Sequence, residues 1–100
     1  MKGFAARKVP GGKLVKAQVE YGYILENVKI TGDFFLHPEE SISDIENAAL
    51  SCHHSDSENV FKDKILEVVK RKKIQMIGVT ADDFAQVIKE AIRGMENSPS

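Results

Sequence analysis

A single cysteine, Cys52, three prolines and no tryptophan occur in a chain of 100 residues. One thiol excludes an intrachain disulfide, and with it the stapled scaffolds of small secreted domains. It also fits a reducing compartment. Charge of neither sign prevails: 14 Lys and Arg against 15 Asp and Glu leave a net charge of −1. That balance gives no overall nucleic-acid footprint. No apolar stretch approaches the roughly 20 residues of a membrane span. The opening MKGFAARKVPGG lacks the apolar run of about 7–15 residues that marks a secretory signal. A soluble cytoplasmic protein is the expectation by elimination. The length is that of one domain, with a modest core and marginal stability on its own. The initial Met1 and the polar tail favour a natural chain over a piece of a longer one.

The hydrophobic pattern changes character along the chain. Val15, Ala17, Val19 and Tyr21 alternate with Lys16, Gln18 and Glu20, the period of a strand with one wet face. Gly22 sits where a tight turn is needed, and apolar residues resume at Ile24, Val28 and Ile30, so the two runs read as an antiparallel hairpin. Glu26 falls on the apolar face of the second run and calls for a bulge or an edge position. A shorter strand near Ala5–Val9 would end at the Pro10-Gly11-Gly12 turn. After Gly32 the period becomes helical. Ser43 and Glu46 have capping-box spacing, and Ile42, Ile45 and Ala49 follow to about Leu50. Residues 51–57 read as a polar loop. Phe61, Ile65, Val68 and Val69 mark a second helical face. Thr80 with Asp83 caps a third helix through Phe84, Val87, Ile88, Ala91, Ile92 and Met95. Gly94 or Asn97 can end it, leaving residues 96–100 as a frayed tail. Strands followed by helices predict an α+β fold: a small antiparallel sheet of about three strands with about three helices packed on one face, forming a single domain over residues 1–100.

Four segments carry candidate chemistry. Lys8 and Lys13 bracket the Pro-Gly-Gly turn, which allows two ammonium groups near one loop tip, with Gly11 and Gly12 permitting close backbone approach. Phe34 and Phe35 follow Gly32-Asp33 at a strand end, where one ring should enter the core. Asp33 is suited to fixing the turn through local hydrogen bonds. It has no second acid or base spaced beside it for general acid–base work. Cys52, His53, His54 and Asp56 are metal-capable types in one loop, but their spacing matches no zinc signature. They read as an exposed polar loop with a free thiol, and no metal site is expected. Lys70-Arg71-Lys72-Lys73 is a cationic run at a helix C-terminus, where positive charge is favourable. No aromatic residues interleave with it, which argues against RNA binding.

Two of these stretches, Lys8-Val9-Pro10-Gly11-Gly12-Lys13-Leu14 and Ile30-Thr31-Gly32-Asp33-Phe34-Phe35 leading through Pro38-Glu39-Glu40 into a helix, resemble in order and spacing the C-terminal domain of lipoate–protein ligases. The closing Gly78-Val79-Thr80 and Asp83-Phe84 helix is similar to that family's last helix. The resemblance covers about residues 7 to 93. It implies a fold related to SufE/NifU-like proteins and a role in ATP- and Mg²⁺-dependent activation of lipoate to lipoyl-AMP, followed by lipoylation of a lysine on a lipoyl domain. Such acceptors are the lipoyl domains of 2-oxoacid dehydrogenase complexes and the glycine-cleavage H protein.

In that family the catalytic lysine and an arginine-led glycine-rich loop belong to the large domain, and this chain has neither. It therefore looks like the separate small subunit of a two-part, archaeal-type ligase, inactive alone. ATP, Mg²⁺ and lipoate would act in its complex with the large catalytic subunit, and none would be bound by this chain by itself. Within that resemblance Lys8, Gly11, Gly12 and Lys13 form an adenylation-assisting loop, with no catalytic residue in this chain. Phe34 and Phe35 are the candidate partner interface. The alternative to a solvated helix end for Lys70–Lys73 is docking of an acidic lipoyl domain. Two readings from other classes stand beside it. One is a non-enzymatic NifU-like scaffold, which wants about three cysteines where this chain has one. The other is a generic protein-interaction module.

Overall fold

The computed structural model describes residues 1–9, 11 and 13–93. The expected helix stop at Gly94 or Asn97, the contribution of Met95 and the tail lie outside them. Three strands, β1 (Lys2–Lys8), β2 (Leu14–Tyr21) and β3 (Leu25–Gly32), form an antiparallel sheet in the order β1-β2-β3. Their alternation has the predicted cause. Val15, Ala17, Val19 and Tyr21 are buried on one face while Lys16, Gln18 and Glu20 face outward. The register then slips at the hairpin. Glu20 pairs with Asn27 and Tyr21 with Leu25, leaving Glu26 as the extra residue of a bulge. The bulge also corrects one expectation. Leu25 enters the core at 2% exposure, whereas Ile24 is 49% exposed. The added residue inverts the alternation between Val28 and the turn.

Helix α1 (Ser41–Leu50) packs against β3, and α3 (Ala81–Arg93) packs across β1 and β2. Helix α2 (Glu58–Lys72) rests on α1 and α3, so all three helices gather over the sheet's apolar face. Phe61, Phe84, Ile45, Ile65 and Ile88 are the largest fully buried side chains and join the inward residues of β2 in one core. Each contributes about 1.5–3 kcal/mol of transfer free energy. The fit of α3 to β1 is close enough to require glycine: a Cβ on Gly3 would lie 1.8 Å from the Ala91 carbonyl oxygen. Tyr21 extends through this layer and its hydroxyl donates to the Ile92 carbonyl at 2.8 Å.

Helix α3 starts as its sequence dictates. The Asp83 amide donates to Thr80 Oγ1 at 3.2 Å, and Asp83 Oδ2 accepts from the Thr80 amide at 2.9 Å. The corresponding expectation for α1 is overturned. That helix begins at Ser41, two residues before Ser43, with Glu40 as N-cap and no side-chain cap. Glu46 Oε2 instead accepts from the Ile30 amide at 2.8 Å. Ile30 lies on an edge strand, and a carboxylate from the helix packed beside it satisfies its amide. Ser41 Oγ donates to the Pro38 carbonyl.

Two short strands escaped the sequence reading. β4 (Phe35–His37) and β5 (Gln75–Ile77) pair antiparallel, with Phe35 opposite Ile77 and His37 opposite Gln75. The loop after α1 is also less open than expected. Cys52 is 1% exposed and belongs to the core. Its carbonyl accepts from the Leu25 amide at 3.3 Å, and Ile24 bridges to His53, so the loop is drawn against the β2–β3 hairpin. Burial pushes the Cys52 thiol above its ordinary pKa. His54 stacks on Tyr21, with ring centroids 5.6 Å apart. The nearly buried Lys89 donates to the His54 carbonyl at 3.0 Å, and desolvation lowers its pKa. These partners give the loop a structural role.

Candidate functional site

The two segments singled out by sequence meet at one end of the sheet. The Val9 amide donates to the Lys13 carbonyl at 2.8 Å, closing the β1–β2 turn, and Gly11 has φ 98° within it. The Asp33 amide then donates to the Leu14 carbonyl at 2.8 Å, tying the exit of β3 to the start of β2. Gly32 makes this approach possible: a Cβ there would lie 2.3 Å from the Leu14 carbonyl oxygen and 3.0 Å from Val15 Cα. Between the two segments opens a groove of about 550 Å³ lined by Gly11, Lys13, Gly32, Asp33, Phe34 and Phe35.

A third segment completes one side. Lys13 runs past Gly78, where an added Cβ would touch its Cδ and Cε at 3.8 Å. Gly78 follows β5 directly, so the end of the small sheet and the lysine are neighbours. The two phenylalanines divide their roles. Phe34 is half-buried and meets Phe84 edge-on, with centroids 5.3 Å apart and an interplanar angle of 79°. Phe35 is 65% exposed, and its cross-strand partner Ile77 is 51% exposed. Together they make an apolar lip at the groove that Lys13 lines.

Lys8 is placed elsewhere. It pairs with Leu14 at the end of β1, and strand alternation carries it to the open face of the sheet, outside the groove lining. Gly12 lies outside the described residues. Ile77 is the residue that sequence reasoning missed. Its signal was a three-residue strand ahead of Gly78, too short to show a period of two.

The groove holds one ammonium group and one exposed carboxylate, with no buried acid–base pair. Among the described residues no group of three or more His, Cys, Asp or Glu comes together to hold a metal ion. No described helix is long and apolar enough to cross a membrane. An exposed apolar lip beside an open groove is the kind of surface that marks an interaction site.

No family model and no curated protein matches the sequence. The fold is similar to that of a chain from an archaeal lipoylation system of Thermoplasma acidophilum, a bi-partite lipoate protein ligase and its E2 lipoyl domain. The match has a TM-score of 0.69 at 25% sequence identity and covers 88% of this chain and 94% of that one. The matched chain is thus of nearly the same size, and the α+β architecture is common to both.

Proposed function

We propose that this chain is the accessory subunit of a two-part lipoate–protein ligase, completing with a large catalytic subunit the site where lipoate is activated by ATP. The observation that carries this reading is the convergence of the two resemblance-bearing segments, distant in sequence, on one open groove where the exposed Lys13 stands beside an uncovered apolar lip. The fold's likeness to a chain of a bi-partite ligase system supports it.

The groove does not fit a nucleotide by itself. One lysine and the backbone at Gly11 offer too few donors for a triphosphate, and no metal-ligand group lies there among the described residues. ATP, Mg²⁺ and lipoate therefore belong to a composite site in which the partner supplies most contacts. On this reading Phe35 and Ile77 seat the catalytic subunit. Lys13, whose outer stem passes Gly78, carries its ammonium toward the charge that develops on departing pyrophosphate. Closure of the two subunits excludes water from the reactive mixed anhydride.

The reading has a direct test. Lys13→Ala should slow adenylate formation by about 10²-fold, the scale of losing one preorganised donor, while transfer from preformed lipoyl-adenylate keeps its rate. Equal slowing of both half-reactions would remove Lys13 from this role. The scaffold reading is weakened by an observation of its own, since Cys52, the sole cysteine, is buried in the core.

A further inference from the structure

The face of the sheet turned away from the helices has no cover. Its outward residues stand in cross-strand rows: Ala6, Lys16 and Thr31 in one, Phe4, Gln18 and Lys29 in the next. Phe4 is 53% exposed and shares a shallow depression of about 280 Å³ with Lys16, Gln18, Lys29 and Thr31. Lys8 extends the same face at the groove end. The face's carboxylates, Glu20 and the bulged Glu26, both lie at the opposite, hairpin end. Lys8, Lys16 and Lys29 have no ion-pair partner among the described residues, although the whole chain carries a net charge of −1. The cationic run of α2 is half engaged: Lys72 pairs with Asp44 at 2.9 Å and Arg71 lies 3.8 Å from Glu67, while Lys70 and the left-handed C-cap Lys73 have no ion-pair partner among the described residues. It sits at a helix end outside the groove lining.

We propose that this open sheet face docks an acidic protein domain, which on the reading above is the acceptor whose lysine is modified. Three observations select that occupant. Unpaired cations around a single aromatic ring complement an acidic surface presenting one apolar side chain. One ring without arginine forks is a poor platform for stacked bases. The cationic rows run directly into the groove through Thr31–Gly32 and Lys13–Leu14. A domain seated on the face therefore lies at the lip of the composite site, within reach of the activated acyl group. The same chain would then bind the catalytic subunit at its Phe35–Ile77 lip and the acceptor on its sheet.

The test titrates ¹⁵N-labelled chain with a purified lipoyl domain of a 2-oxoacid dehydrogenase at low and moderate salt. Amide shifts should centre on Phe4, Lys16, Gln18 and Lys29. The double variant Lys16→Glu/Lys29→Glu should weaken binding about tenfold or more, and salt should weaken the wild type. Both proteins are also assayed for support of pyrophosphate release by the catalytic subunit. The double variant should retain this support, because neither lysine lies in the groove. Support of pyrophosphate release with no lipoyl-domain binding, or with shifts on another face, overturns the docking proposal and leaves the proposed function standing. Failure of the wild type to support pyrophosphate release overturns both. Tighter binding of a single-stranded oligonucleotide than of the lipoyl domain also overturns it.

Discussion

Truncation of Phe35 tests whether its exposed ring serves a partner or the fold. A phenylalanine side chain carries about 200 Å² of burial area, worth roughly 25 cal/mol per Å² when removed from water. Phe35 is 65% exposed in the isolated chain. About a third of its area is therefore already used in folding, and about two thirds remains for a partner to cover. Alanine keeps the Cβ, so Phe35→Ala should cost about 1 kcal/mol of unfolding free energy. If the catalytic subunit seats on this ring, the same change should weaken the complex by about 2–3 kcal/mol, roughly 30–150-fold in Kd. Phe34 should show the reverse. It is half-buried and meets Phe84 edge-on, and its truncation should cost about 2–3 kcal/mol of stability. Urea denaturation of each isolated variant gives the first quantity, and calorimetric titration with the catalytic subunit gives the second. A Phe35→Ala protein that binds within twofold of wild type would refute the assignment of the lip.

Gly32→Ala should unfold the junction that makes the groove. Its Cβ would lie 2.3 Å from a backbone oxygen with no flexible atom to yield, and the expected loss is about 1–3 kcal/mol or more in denaturant midpoint measurements. Cys52 sets a pH dependence. Its folded pKa is raised above the ordinary 9.0 by burial, so the folded state holds the proton more tightly than the unfolded chain. The resulting stability is fully present below pH 9 and is lost as pH rises from there through the folded pKa. Wild-type stability should fall more steeply across that window than that of Cys52→Ala, and the native thiol should react slowly with a thiol reagent until denaturant is added.

Much of the architecture was legible because a few residues repeat without interruption. Val15 to Tyr21 and Phe84 to Ile92 each keep one period long enough to fix a face, and Thr80 with Asp83 places the start of α3 within the chain itself. What the sequence hid was decided by neighbours in space. Ser43 and Glu46 have the spacing of a cap, yet the unpaired amide of Ile30 takes the carboxylate. Cys52 sits among polar residues, yet the hairpin folds over it. β4 and β5 are too short to have a period, so the Phe35–Ile77 lip appears only once they pair. The groove was half legible. Turn chemistry and family resemblance pointed to Lys13 and to Gly32–Phe35. Their meeting depends on a backbone contact at Gly32 that no spacing reveals.

The most direct measurement mixes this chain with a large ligase subunit lacking its own C-terminal domain and follows pyrophosphate release with ATP and lipoate. Neither protein alone should release pyrophosphate at an appreciable rate, and the pair should do so together, saturating at equal amounts of each. Release by this chain by itself, or by the large subunit with no gain on addition of this chain, would contradict the account.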